Sequence, residues 1–148
     1  MKIGKNIYEV KAFRYAEQFS SKGGTAALIR VKGYHDEETP TDASLSKLEN
    51  AINRSKRQNG RLPRWVAITE LWLNNDLVST GISACVVTDK TNKHEGATRS
   101  LVRAMKEAKL DCHIEEILSE RRKNRQYARR MAAIDSARRL LEKYGQTA

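Results

Sequence analysis

The sequence has few of the residues and segments that define disulfide-rich, metal-caged and membrane-spanning proteins. Its two cysteines, Cys85 and Cys112, are too few for a disulfide framework or a zinc cage. No run of roughly 18 apolar residues occurs, so no membrane span is predicted. The first residues, MKIGKNIYEV, lack the apolar core of a signal peptide, which predicts a cytoplasmic protein. Eight glycines and two prolines argue against collagen, linkers and extensive disorder.

Positive charge, in contrast, is abundant. Lys and Arg number 28 against 18 Asp and Glu in a chain of 148 residues, which gives a formal net charge of +10. Residues 1–60 carry a net charge of +4, residues 61–95 are neutral, and residues 96–148 carry +6. The neutral middle is the most β-like part of the chain, and the basic last third is the most helical. A surplus of this size attracts polyanions, of which nucleic acid is the usual cellular example.

Two hairpins are predicted. The clearest spans residues 64–88, where Val, Ile, Leu, Thr and Trp are frequent and Asn74-Asn75-Asp76 suits a turn. Alternation places Trp65 and Trp72 on opposite faces, and we interpret both as packing residues rather than as base-stacking platforms. The other hairpin joins IYEVKAFRYAEQFS to TAALIRVKGY through Lys22-Gly23-Gly24, although the first of these segments also fits a helical stripe.

Capping signals and apolar spacing predict three helices. The first has Thr39 as its N-cap, Pro40 at its first position and Asn59-Gly60 as its stop. The second runs from about Gly96 to Asp111, and the third from 113 to 145, with a break near Lys123 left open. The inward-facing residues are Leu45, Leu48 and Ile52 in the first helix and Ala97, Leu101, Ala104, Met105 and Ala108 in the second. The sequence thus predicts one basic α+β domain over residues 1–148, with an antiparallel sheet of about four strands and the order β-β-α-β-β-α-α.

The third helix carries the strongest functional signal. Its residues 121–130 include six cations and no acid: Arg121, Arg122, Lys123, Arg125, Arg129 and Arg130. At about 100° per residue, four of these arginines fall on one stripe, which Arg139 and Lys143 extend. Guanidinium groups bind phosphate oxygens with paired hydrogen bonds, whereas like charges at i, i+4 repel one another until an anion neutralises them. The alternative is a solvated helix face, with Glu115, Glu116 and Glu120 on the preceding turns.

The opposite stripe of the same helix is apolar. It consists of Tyr127, Met131, Ile134, Ala137 and Leu141. We expect this stripe to face the core, although pairing with a second copy of the chain stays open.

A second cationic stripe is predicted on the preceding helix, from Arg99, Arg103, Lys106 and Lys109. The polar loop before that helix holds Lys90 and Lys93 and enters the helix through Gly96. Because a helix N-terminus attracts anions, Lys90, Lys93 and Arg99 form a candidate phosphate-binding site. An ordinary connection is the alternative, since the loop matches neither the phosphate-loop pattern nor the dinucleotide fingerprint.

Residues 81–108, GISACVVTDKTNKHEGATRSLVRAMKEA, resemble a strand–loop–helix signature of small, mostly uncharacterised phage-encoded basic proteins. The matching positions are Cys85, Asp89, Lys93, Gly96, Arg99, Leu101, Arg103 and Ala104. The resemblance implies a viral or mobile-element origin, and hence the host cytoplasm, but no activity. The arginine cluster separately resembles the arginine-rich RNA-binding helices of phage antiterminators, which are short peptides.

No catalytic constellation emerges from the sequence. We interpret His35-Asp36-Glu37-Glu38 as a solvated acidic turn that caps the next helix rather than as a site for a divalent cation. A metal-assisted nuclease would need Glu70, Asp89 and Lys90, with Glu70 in mid-strand and Asp89 beyond the end of the next strand. We therefore expect no catalytic residue, no metal and no cofactor, and keep this nuclease as the less favoured enzymatic alternative.

The sequence thus predicts a nucleic-acid-binding protein that contacts DNA or RNA phosphates through cationic helices. The predicted contact residues are Arg99, Arg103, Lys106, Arg121, Arg122, Lys123, Arg125, Arg129 and Arg130. The alternative is a phage host-takeover or anti-defence factor that binds an acidic protein or a small phosphorylated ligand. In that case Lys90, Lys93 and Arg99 would matter more than residues 121–130.

Overall fold

A computed structural model describes residues 1–19, 24, 26–33, 35–85 and 93–145. It confirms the predicted α+β class and the order β-β-α-β-β-α-α, to which it adds a short two-stranded sheet at the N-terminus. The elements are β1 Lys2–Ile3, β2 Asn6–Ile7, β3 Glu9–Phe19, β4 Ala26–Arg30, α1 Asp42–Asn59, β5 Trp65–Leu73, β6 Asp76–Cys85, α2 Lys93–Glu107 and α3 Ile114–Tyr144. No helix in the described part of the chain combines the length and the apolar character needed to cross a bilayer.

The main sheet is antiparallel, with the strand order β4-β3-β5-β6. Both predicted hairpins are confirmed. Asn74 and Asn75 connect β5 to β6 with φ angles of 52° and 66°, the positive values that a tight two-residue turn needs and that asparagine tolerates. Strand β3 pairs with β4 from Tyr15 opposite Arg30 to Phe19 opposite Ala26. Of the predicted turn between them, Lys22 and Gly23 lie outside the described residues.

Helices cover both faces of the sheet. On the α1 face, Leu48 packs with Phe13, Val66 and Ile68 in a buried apolar cluster. On the other face, Thr69 and Ser100 of α2 share a hydrogen bond of 2.7 Å between their hydroxyl groups. The alternation predicted for β5 is therefore confirmed, because its neighbouring side chains meet different helices.

Close packing of α2 on the sheet depends on glycine at two positions. A Cβ atom added at Gly81 in β6 would lie 2.0 Å from the Ser100 carbonyl oxygen of α2. A Cβ atom added at Gly96 in α2 would lie 1.9 Å from Cη2 of Trp65 in β5. Glycine therefore permits the helix backbone to approach the strands at both contacts.

Helix α1 begins two residues later than the sequence predicts. Its N-cap is Thr41, whose side chain accepts a hydrogen bond from the Ser44 N–H, so the prediction of Thr39 as the cap was wrong. Glu70 of β5 decides between the two threonines, because its carboxylate accepts hydrogen bonds from both the backbone N–H and the hydroxyl group of Thr41. The predicted stop is confirmed at Gly60, which has a left-handed φ of 70° and donates its N–H to the Lys56 carbonyl.

Helix α2 begins at Lys93 rather than at Gly96 and ends at Glu107, four residues before the predicted Asp111. The predicted inward face is confirmed at Leu101, Ala104 and Met105, which are buried. Helix α3 runs without a break through Lys123, so the interruption left open there does not occur.

The chain divides into two compact units, where the sequence predicts one domain. We call Met1–Cys112 the sheet unit and His113–Ala148 the helix unit. Within the described part of the helix unit, α3 is the only long element. The apolar stripe expected to face a core is exposed, with Tyr127 63% and Leu141 67% accessible. That expectation was wrong because an apolar stripe predicts a face that packs against something, but does not show that its partner lies in the same chain.

Candidate nucleic-acid interface

The six cations predicted to bind phosphate between residues 121 and 130 lie on consecutive turns of α3. Arg121 is half-buried, and Arg122, Lys123, Arg125, Arg129 and Arg130 are exposed. In the part of the chain that the structure describes, no carboxylate oxygen lies within the 4.0 Å of an ion pair from any of the six. None of the six is therefore in an ion pair with an acid of the described chain.

The arrangement on α3 brings like charges together. Arg121, Arg125 and Arg129 follow one another at i, i+4 spacing, which places neighbouring guanidinium groups on the same face. Burial and then the positive charge of Arg125 lower the pKa of Arg121 from its ordinary value. Both causes disfavour the charged form of Arg121. An anion near Arg125 would offset the part of this effect that comes from the charge of Arg125.

Arg139 and Lys143 extend the cationic stripe towards the end of α3. At 1.5 Å per residue, the stripe from Arg121 to Lys143 is about 33 Å long. That length is close to the roughly 34–36 Å of one turn of a DNA duplex. Asp135, four residues before Arg139, borders this stripe near its C-terminal end, whereas no Asp or Glu lies among the cations from Arg121 to Arg130.

The cations predicted on α2 are held differently. Arg99 pairs with Glu95 at 3.2 Å, one turn earlier on the same helix. Arg103 donates a hydrogen bond of 2.6 Å to the Ile82 carbonyl of β6. Lys106 is exposed in the last turn of the helix. The α2 stripe is therefore partly engaged within the sheet unit, in contrast to the α3 cluster.

Arg54 of α1 is a candidate anion-binding residue that the sequence reasoning missed. It lines a groove of about 220 Å³ together with Arg103. The other lining residues are Ala51, Ser55, Gln58, Asn59, Ile82 and Ala84. Because a guanidinium group carries five N–H donors, one bond from Arg103 to a carbonyl leaves further donors for a ligand. The only sequence signal was the polar spacing of Arg54 and Gln58 on α1.

The candidate phosphate loop lies largely outside the described residues. Lys90 and the side chain of Lys93 fall there, so the proposed grouping of Lys90, Lys93 and Arg99 stays a prediction. Only Arg99 of the three has a described side chain, and it contacts Glu95.

Glu70, a residue of the nuclease alternative, has a structural role at the start of α1. Its side chain is fully buried, and one carboxylate oxygen accepts hydrogen bonds from the Thr41 N–H at 2.8 Å, the Thr41 hydroxyl at 2.9 Å and the Ser44 hydroxyl at 2.6 Å. The other oxygen accepts from Trp72 Nε1 at 3.0 Å. Asp89 and Lys90 lie outside the described residues. Within the described ranges, no three His, Cys, Asp or Glu side chains are grouped as a metal site would need.

The acidic turn at residues 35–38 does not cap α1, because that helix begins at Asp42 under the cap of Thr41. Asp36 instead accepts a hydrogen bond of 2.7 Å from the Gly33 N–H, and Glu38 lies 3.6 Å from Lys11. The prediction that this turn caps the following helix was therefore wrong, whereas its local, structural role fits these contacts.

Both tryptophans contact residues of the sheet unit. Trp72 donates to Glu70, and the Lys11 ammonium lies 4.5 Å from its ring centroid. Trp65 packs against Gly96 and has the Arg14 guanidinium 5.8 Å from its ring centroid. These contacts agree with their interpretation as packing residues.

Comparison of the chain with protein-family models, with curated proteins and with solved structures gives no significant match. The resemblance to phage-encoded proteins therefore stays a prediction, and the functional argument depends on the geometry of α3.

Proposed function

We propose that this protein binds nucleic acid through phosphate contacts made by the cationic stripe of α3. The observation that carries the proposal is the set of six cations between Arg121 and Arg130, which have no carboxylate partner in the described chain. Their mutual repulsion disfavours the free helix, and a polyanion removes that repulsion.

Arginine chemistry favours phosphate as the ligand. A guanidinium fork makes two hydrogen bonds to one phosphate, stays charged at all physiological pH values and loses little hydration on contact. Contacts of this kind depend on the backbone rather than on base sequence. We therefore expect binding dominated by electrostatics, with a slope of log K against log salt of about −3 to −6.

The sheet unit supplies a secondary contact in this proposal. Arg54 and Arg103 line one groove, which can hold an additional phosphate after α3 has bound the backbone. Because Arg103 is already hydrogen-bonded to Ile82, we assign the larger share of the affinity to α3.

Fluorescence anisotropy tests the proposal, with labelled duplex DNA, duplex RNA and single strands measured over a KCl series. The test variant carries Arg125→Glu and Arg129→Glu. We expect it to lose affinity by at least about 100-fold at low salt, because two attractions become repulsions. Its urea unfolding midpoint should stay unchanged, since both side chains are exposed.

The matched control carries Lys2→Glu and Lys5→Glu, which change the net charge by the same amount at exposed positions of the sheet unit. The proposal predicts affinity within about threefold of the wild type for this control, because the charges removed lie outside the stripe. Equal losses of nucleic-acid affinity in both variants would show that binding depends on net charge rather than on the stripe. Absence of binding to every nucleic acid probe, together with binding to a polyglutamate probe, would favour an acidic protein as the partner.

A further inference from the structure

The apolar stripe of α3 has the spacing of a coiled-coil seam. Tyr127, Met131, Ile134 and Leu141 are separated by four, three and seven residues, which places Met131 at an a position and the other three at d positions of a heptad. Their exposed fractions are 63%, 38%, 42% and 67%. Within the described residues the seam is therefore open to a partner along its length.

We propose that α3 pairs with a second copy of itself as a parallel, two-stranded coiled coil from Asn124 to Leu141. The proposal does not depend on nucleic-acid binding, because it concerns the other side of the helix. In this register the a positions are Asn124, Met131 and Arg138, and the d positions are Tyr127, Ile134 and Leu141.

Charge complementarity selects a second copy in the parallel orientation. In a parallel dimer, a g residue lies beside the e residue five positions later on the partner helix. Arg130 occupies a g position and Asp135 the matching e position, so two-fold symmetry produces two ion pairs of opposite charge. An antiparallel dimer would instead place g beside g and e beside e, and these pairs would be lost.

Asn124 supports the same register. A single asparagine at an a position favours two strands in parallel alignment, because it can hydrogen-bond to the same residue of its partner. Arg138 is the least favourable seam residue, and its aliphatic stem can pack while its guanidinium group reaches solvent. The seam is short, so we expect association in the micromolar range rather than an obligate dimer.

The seam and the cationic stripe lie on opposite sides of α3. Pairing would bury the seam and leave Arg122, Arg125 and Arg129 at outward positions of both helices. A dimer would thus present two cationic stripes without covering either of them.

Sedimentation equilibrium of the whole protein, without nucleic acid, tests the pairing. The wild type should increase in mass with concentration from the monomer value of 16.8 kDa towards twice that value. Ile134→Asp should weaken dimerisation by more than about 100-fold, because it places a charge in the seam. Ser136→Asp places the same charge on the outer side of the helix and should dimerise within about threefold of the wild type. Far-UV circular dichroism confirms that each variant keeps its helix.

Charge reversal tests the register. Arg130→Glu alone and Asp135→Arg alone should each weaken the dimer by about fivefold to tenfold, and the double variant should recover the wild-type affinity. A wild type that stays monomeric throughout the micromolar range would overturn the pairing, as would a dimer that Ile134→Asp leaves intact. Failure of the double variant to recover affinity would overturn the parallel register.

Discussion

Cations of the sheet unit and cations of α3 differ in whether they have carboxylate partners. In the sheet unit, Arg61 pairs with Glu17 at 2.8 Å, and Lys47 contacts Glu107 and donates to the Thr80 carbonyl. In α3, the cations between residues 121 and 130 have no carboxylate partner among the described residues. A net charge counts all these cations alike, whereas the structure separates those in ion pairs from those without a carboxylate partner among the described residues.

The largest effect that would sharpen this contrast is expected at Glu70. Glu70→Gln exchanges a carboxylate oxygen for an amide that faces donors from Thr41, Ser44 and Trp72. We expect a loss of about 2–3 kcal/mol in the free energy of unfolding, because a buried group loses charge-assisted hydrogen bonds. Urea denaturation measures this loss, with Glu49→Gln on the exposed face of α1 as its control.

Nucleic-acid affinity should be unchanged in the folded Glu70→Gln protein, because the hydrogen-bond partners of Glu70, which are Thr41, Ser44 and Trp72, all belong to the sheet unit. A parallel loss of affinity would contradict the separation between structural and ligand-binding polar groups.

A smaller effect on stability is expected at Arg61. Arg61→Gln leaves the Glu17 carboxylate, whose side chain is 7% exposed, without its guanidinium partner. A buried pair broken in this way costs several kcal/mol, but Arg61 is 37% exposed, so solvent screening reduces the expected loss to about 1–2 kcal/mol. Arg57→Gln removes the same charge from an exposed site and serves as the control. If Arg61→Gln lowered the free energy of nucleic-acid binding more than the free energy of unfolding, Arg61 would be a ligand-binding residue rather than a structural one.

The smallest effect is expected at the exposed pair of Glu95 and Arg99. Glu95→Gln removes one partner of an i, i+4 ion pair, which contributes less than about 0.5 kcal/mol at an exposed site. Affinity for nucleic acid should rise by no more than about threefold, because Arg99 gains freedom and one negative charge is lost. Thermal unfolding and the anisotropy assay measure both quantities. A loss of affinity would show that Glu95 positions Arg99 for the ligand.

Local signals were sufficient for most of the fold. Asn74-Asn75 marks one hairpin because asparagine tolerates positive φ, and Gly60 marks the end of α1 for the same backbone reason. The start of α1 was misplaced because Thr39 and Thr41 are both acceptable caps by sequence. The choice depends on Glu70, which lies 29 residues from Thr41 and meets it only in the folded sheet.

The candidate site was predictable where neighbours along one helix define it. The cluster from Arg121 to Arg130 contains no acid, so the lack of ion pairs within it could be predicted. The sequence alone left open one local ion pair, between Lys123 and Glu120 three residues before it. Arg54 could not be foreseen, because its groove is completed by Arg103 from another helix. The burial of the α3 seam was wrongly expected, because spacing describes a surface and leaves its partner unspecified.

The outer strand β6 has a feature that opposes edge-to-edge pairing of sheets. Its outward carbonyls at Thr80 and Ile82 each accept a hydrogen bond of 2.6 Å, from Lys47 and from Arg103 respectively. Charged side chains on these acceptors block the addition of a foreign strand, which would need the same carbonyls and would displace two hydrated cations. Polymerisation through this border of the sheet is thereby disfavoured, also in the proposed complex, where many molecules would gather along one polyanion.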